Sequence, residues 1–228
     1  MFNELLTKAC LARTDVTEVM SVRNMAEAEE SLRRNIHDLV ILDTDSPHSN
    51  GFEFANKILF IQPRIKILGI SAHCDQYTMH QLAQSELTGF VNKSTDALDQ
   101  IWHAFHNFAQ GKKYFSPSIL ALKSKLKSEP NIFSNVLSTR ETLVLRLVGE
   151  GKRDGEIGER MTVTADTVKW HRKQIMRKLG LNNQVGLIIY ANQKGLGKLC
   201  NLPAANGAAV FAVEVNPDSS ESLQSACK

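Results

Sequence analysis

In the stretch 38–54, DLVILDTDSPHSNGFEF, a solid apolar run ends on an acid, Asp43, with Pro47 four residues later and Gly51 eight residues later. A carboxylate at the mouth of a buried strand, followed by turn residues, is the setting expected of a phosphoryl acceptor. A second chemistry lies in 164–181, TADTVKWHRKQIMRKLGL. Helical spacing puts Val168, Ile175 and Leu179 on an inner face and leaves Lys169, Trp170, Arg172, Lys173, Arg177 and Lys178 on or near the outer surface. The major groove of B-DNA is the groove wide enough for such a helix, and Lys or Arg there can donate to guanine O6 and N7. Lys169 and Lys173, one turn apart near the helix start, are the candidates for reading bases. Trp170 could touch a thymine methyl or the sugar wall, or be partly buried.

These residues need a scaffold, and the two halves of the chain imply different ones. The first half alternates β-rich runs (18–22, 39–42, 66–70, 89–91) with stretches of helical periodicity (24–35, 52–61, 76–86, 95–109), the pattern of βα units and a parallel sheet. The run LVIL has no polar alternation, so it should be covered on both faces. Residues 111–135 break the pattern with two prolines, serines and lysines, and read as a linker. Ser138-Thr139-Arg140-Glu141 is a capping box that starts a helix with Leu143, Leu147 and Val148 on one face, stopped at Gly151. Asp154 can cap a second, short helix holding Ile157, and Thr164 can cap the third. Two short helices, a tight turn and a longer basic helix make a helix-turn-helix. A compact segment therefore spans 136–197. The tail, 198–228, reads as mostly disordered, apart from the strand-like AAVFAVEV at 208–215.

Charge follows the same division. Residues 1–110 carry 9 Lys/Arg against 14 Asp/Glu, whereas 111–200 carry 17 against 7. An acidic half joined to a basic one suggests a control domain attached to a polyanion-binding domain. The four cysteines form no C-x-x-C pair, which disfavours a disulfide framework or zinc site. No window reaches the length of apolar sequence needed for a membrane span, and the amino terminus lacks the pattern of an export signal, so a cytoplasmic protein without a membrane partner is expected.

Over about sixty residues, Leu137, Arg140-Glu141, Gly151, Ile157, Thr167-Val168-Lys169, His171 and Lys178-Leu179 resemble the DNA-binding domain of the LuxR/NarL/FixJ class of bacterial transcription regulators. The resemblance implies double-stranded DNA as partner, with Thr167, Lys169, Trp170, Arg172, Lys173 and Arg177 as contact candidates. It also implies a fourth helix near 183–194, whose Val185, Ile188 and Ile189 would pair two copies or else serve an intramolecular core. Gly158 departs from the family's usual alanine and should weaken the second helix by up to about 1 kcal/mol. Asn183 departs from a common basic residue.

Asp43, Pro47, Gly51, Ser71 and Lys93 are similar in order and spacing to the receiver domain of two-component response regulators. That resemblance implies a flavodoxin-like α/β fold, a phosphoacceptor aspartate, a sensing hydroxyl, a charge-pairing lysine, and a sensor kinase or other regulator as possible partner. It also demands an earlier strand ending in two acids that help to hold Mg²⁺. Here FNELLTKACLA at the start already reads as the first helix and 18–22 as the second strand. With one carboxylate in place of three, Mg²⁺ should bind poorly, and Asp43 would be vestigial. The absent strand belongs at the centre of the family's sheet. Direct pairing of its two neighbours is the leading expectation, with a partner's strand, the tail segment 208–215 or a start codon further upstream as alternatives. The expected protein is a homodimeric DNA-binding transcription regulator, not an enzyme, with no cofactor other than Mg²⁺ should phosphorylation occur. A phosphorylation-switched regulator and a protein-interaction module that kept the helix-turn-helix are the alternatives.

Overall fold

The computed structural model describes residues 2–13, 16–22, 24–45, 51–72, 74–93, 97–127, 133–197 and 210–215. Pro47 and most of the tail, 198–209 and 216–228, lie outside the described residues. The chain divides into two compact units, one of Met1–Cys74, Leu82–Ala121 and Ala204–Lys228, the other of Asp75–Gln81 and Leu122–Pro203. The segment after the helix-turn-helix therefore returns to the first unit.

The first unit opens with α1 (Phe2–Leu11), β1 (Val16–Val22) and α2 (Met25–Arg34), the last capped by the Asn24 side chain, which accepts from the Ala26 N–H. It continues with β2 (Leu39–Asp43), α3 (Gly51–Ile61), β3 (Lys66–Ser71), α4 (Gln76–Gln84, shared with the other unit), β4 (Gly89–Asn92) and α5 (Ala97–Ala109). The strands and helices expected from periodicity are all present. Strands β2, β3 and β4 pair in parallel, with Leu39 opposite Lys66 and Leu68 opposite Gly89. Leu39 and Ile41 of β2 join Leu6, Cys10, Ile101, Phe105 and Phe108 in one buried cluster, which places α1 and α5 on that face. Val40 and Leu42 point the other way and are equally buried, so LVIL is covered on both faces.

Two features differ from expectation. The region read as a linker contains β5 (Tyr114–Phe115), paired in parallel with β4, and α6 (Pro117–Lys127). Two residues at a sheet edge carry too little periodicity to be recognised. The larger difference is at the centre of the sheet, whose order is β1-β6-β2-β3-β4-β5. Strand β6 (Val210–Val215), from the tail, lies antiparallel between β1 and β2. Direct pairing of the two neighbouring strands, the leading expectation, is thus incorrect. The register runs from Val22 opposite Val210 to Val16 opposite Val215 on one side, and from Leu42 opposite Val210 to Leu39 opposite Val213 on the other. Val210, Phe211, Ala212 and Val213 are buried on both faces. A short run of β-branched and aromatic residues satisfies two open strand edges at once and buries its side chains above and below the sheet, which direct pairing of β1 with β2 would not do.

The second unit contains α7 (Phe133–Val136), α8 (Thr139–Gly149), α9 (Asp154–Met161), α10 (Ala165–Leu179) and α11 (Gln184–Gln193) around a core that includes Leu145, Leu147, Val148, Ile157, Val168, Ile175 and Leu187. In α8 the inner face is formed by Val144, Leu145, Leu147 and Val148, while Leu143, expected inside, is exposed. Among the described residues no helix is long and apolar enough to cross a membrane.

Candidate functional site

At the carboxyl end of the parallel strands, Asp43 closes β2, Ser71 closes β3 and Lys93 follows β4. The fold brings these three predicted residues together. Lys93 Nζ lies 2.6 Å from Asp43 Oδ2, and the Lys93 N–H donates to the Ser71 carbonyl at 2.8 Å. Gly51 lets α3 start close to this turn, since a Cβ there would meet Thr44 Cα at 2.9 Å.

A fourth residue, Asp45, was missed from the sequence. Its N–H donates to Asp43 Oδ1 at 3.0 Å, while Ser71 Oγ donates to Asp45 Oδ1 at 2.6 Å and the Ala72 N–H donates to Asp45 Oδ2. Lys93 Nζ is 3.8 Å from Asp45 Oδ2. The available signal was the D-x-D spacing in LDTDSP, because extended backbone directs alternate side chains the same way. Two carboxylates, rather than one, therefore meet here. Asp43 is paired with an ammonium group and Asp45 accepts from a hydroxyl and an amide. Among the described residues no group of three or more His, Cys, Asp or Glu side chains could hold a metal ion. Mg²⁺ is commonly held by one or two carboxylates together with several waters, and here both acids are already engaged, Asp43 by Lys93 and Asp45 by Ser71 and Ala72.

In the second unit the local chemistry of the chain builds the helices as expected. Ser138 Oγ accepts from the Glu141 N–H at 3.3 Å, and Glu141 Oε2 accepts from the Ser138 N–H at 2.8 Å, completing the capping box. Thr164 caps α10 by accepting from the Thr167 N–H, and Gly180 ends it in the left-handed conformation. Asp154 does not cap α9. Arg153 holds that position and Asp154 is the first helical residue. Gly158 has a steric reason to be glycine, since a Cβ there would lie 2.6 Å from the Val163 carbonyl oxygen, where the turn between α9 and α10 crosses the helix. Asn183 is the N-cap of α11, accepting from the Gly186 N–H at 2.7 Å.

On α10 the outer face displays Lys169, Lys173 and Arg177, and Trp170 is exposed at 56%, not partly buried. Lys169 Nζ donates to Asp166 at 3.0 Å, and that hydrogen bond raises the lysine above its ordinary value. Thr167 is half-buried at the cap. Arg172 does not belong to this face. It is only 7% exposed, its Nε lies 2.7 Å from Asp154 Oδ1, and its Nη2 donates to the Lys152 carbonyl at 3.1 Å. Four residues after Val168, it continues the inner stripe and uses its charge to tie α10 to the start of α9. Lys178 donates to Glu141 Oε2 at 2.8 Å. Burial acts to raise the Glu141 carboxyl, but the hydrogen bonds from Lys178 and Ser138 outweigh it and hold the group below its ordinary value. On α11 Leu187 and Ala191 are buried, while Val185, Ile188 and Ile189 share an exposed apolar strip in which Val185 is 64% exposed.

A parallel α/β unit with aspartate, hydroxyl and lysine at its strand ends, joined to a helix-turn-helix with a basic outer helix, defines a response regulator of the DNA-binding kind. The response regulator receiver domain model matches residues 2–105, and the model of bacterial regulatory proteins of the luxR family matches residues 135–191. The Fimbriae Z protein of Escherichia coli (strain K12) is 35% identical over 161 residues, covering 70% of this chain and 76% of the relative. The Fimbriae Z protein of Salmonella typhimurium is 30% identical over 184 residues, covering 80% and 87%. Among solved structures, RcsB from Salmonella enterica serovar Typhimurium, bound to a promoter in the presence of a phosphomimetic, is 22% identical with a TM-score of 0.49, covering 75% of this chain and 82% of that one. The chain belongs to the LuxR-family response regulators, DNA-binding transcription factors of two-component systems.

Proposed function

We propose that this protein is a cytoplasmic transcription regulator that binds duplex DNA as a homodimer and does not depend on phosphorylation of Asp43. The supporting observation is the outer face of α10, where Lys169 and Lys173 stand exposed beside Trp170. In this reading α10 enters the major groove and the two lysines donate to base edges, Lys169 exchanging Asp166 for its base. Trp170 lies against a thymine methyl or the sugar wall. Thr167 and Arg177 contact phosphates, which position the helix without carrying sequence information. The strip of Val185, Ile188 and Ile189 pairs two copies across a dyad-symmetric site. Phosphorylation independence is favoured by the donor set around Asp43, in which the only second carboxylate among the described residues, Asp45, is engaged with Ser71 and Ala72.

DNA titrations over a range of salt test the first part. Affinity should fall with a log–log slope of about −0.9 per phosphate contacted. Lys169→Ala or Lys173→Ala should cost about 1–3 kcal/mol and relax base preference, whereas Arg177→Ala should weaken all sequences alike. Equal losses on every sequence for all three would show that another face reads the bases. Incubation with acetyl phosphate and Mg²⁺, followed by intact mass, tests the second part. Rapid, near-complete gain of one phosphoryl group would refute it.

A further inference from the structure

The two carboxylates at the end of β2 occupy different environments. Asp43 is held by Lys93, at 2.6 Å. Asp45 reaches over to the end of β3. The Thr44 N–H donates to the Ile70 carbonyl at 2.9 Å, fixing the turn, and the Asp45 N–H donates back to Asp43 Oδ1. The Asp45 carboxylate is thereby delivered to three donors of different kinds: the Ser71 hydroxyl, the Ala72 amide and, at 3.8 Å, the Lys93 ammonium. Ser71 is fully buried, so its hydroxyl has little access to water and requires a partner in the protein. A hydroxyl, a backbone amide and an ammonium group converging from two strand ends form a cradle for an oxyanion. Lys93 is common to both carboxylates, 2.6 Å from Asp43 Oδ2 and 3.8 Å from Asp45 Oδ2.

We propose that Asp45 is the resident anion of this cradle. Its carboxylate stands in for the oxygens of a phosphoryl group and holds the ends of β3 and β4 in the anion-bound arrangement without a phosphoryl donor or a divalent cation. The proposal rests on the phosphorylation-independent reading and adds what replaces the phosphate. It also explains why the same donors accept a carboxylate. A carboxylate offers two oxygens and a phosphoryl group three, both with negative charge, and the intramolecular one needs no external ligand to be present.

The test uses the full chain, Asp45→Ala and Asp45→Asn, with two readouts: the Ala72 amide proton resonance and affinity for a DNA duplex. In the wild type the Ala72 proton should be shifted downfield and indifferent to inorganic phosphate. In Asp45→Ala it should move upfield, DNA affinity should fall about tenfold, as expected for coupling between two sites, and inorganic phosphate should reverse both changes. Asp45→Asn, which keeps the shape and loses the charge, should lie between the two and decides the question should the alanine variant fail to fold. An Ala72 resonance that ignores both substitutions would overturn the proposal. So would DNA affinity that is unchanged or increased in the variants, since an increase would make Asp45 an obstruction. Failure of the underlying reading is registered separately, by the mass gained from acetyl phosphate in the wild type.

Discussion

Phe211→Ala addresses the least expected element of the fold, the tail strand in the middle of the sheet. Phe211 is fully buried and belongs to the same cluster as Leu6, Cys10, Ile101, Phe105 and Phe108. Truncating a phenylalanine in such a site costs about 3–5 kcal/mol through lost transfer energy and the remaining cavity. The total stability of a domain is about 5–15 kcal/mol, so this one change in the tail should remove a large part of the stability of the first unit. With a urea dependence of about 1–3 kcal/mol per molar, the midpoint should fall by roughly 2 M. The two tryptophans allow the units to be observed separately. Trp102 packs against the Phe211 cluster, and Trp170 is exposed on α10. In a Trp170→Phe background, tryptophan fluorescence follows the first unit alone. A midpoint that moves no more than that of a surface substitution such as Ser21→Ala would show that β6 does not fill the gap between β1 and β2.

Three further outcomes follow from the second unit. Gly158→Ala should destabilise it by about 1–3 kcal/mol in thermal or urea unfolding, because contact with the Val163 carbonyl outweighs the gain in helix propensity; stabilisation would refute the steric reading. Arg172→Met should cost about 2–4 kcal/mol of stability by leaving Asp154 without its partner, with any loss of DNA binding tracking the unfolded fraction; lost affinity at full stability would place Arg172 on the DNA after all. Glu141 has a folded-state pKa below its ordinary value of 4.5, so its contribution is present above that pH and lost as pH falls through the depressed value. Lys178→Met should therefore lower stability near neutral pH by about 1–2 kcal/mol and flatten its decline between pH 5 and acid, which urea midpoints across pH would reveal.

The local sequence accounts for most of the second unit. A capping box at Ser138 and Glu141, a threonine cap at Thr164, a left-handed glycine at Gly151 and apolar spacing in α10 act over a few residues, and each appears in the structure as read. Local pattern fared less well where two residues compete for one face. Arg172 has the composition of a DNA contact but the position of a core residue, and position prevailed because Asp154 was available to neutralise it. Leu143, read as part of the inner face, is exposed while Val144 beside it is buried, since neighbouring apolar residues are separated on a helix only by what packs against them.

In the first unit the sequence by itself determined the kind and order of the βα elements and placed Asp43, Ser71 and Lys93 at strand ends, because burial period and turn chemistry are encoded within each segment. What only the tertiary structure decided was which strands are neighbours and what Asp45 touches. Val16 pairs with Val215 at the far end of the chain, and Ser71 meets Asp45 across two strands. An extended apolar segment specifies that its backbone needs partners without specifying which ones. That choice is made where two open edges and two apolar faces can be satisfied together, a property of the assembled sheet and of no single stretch within it.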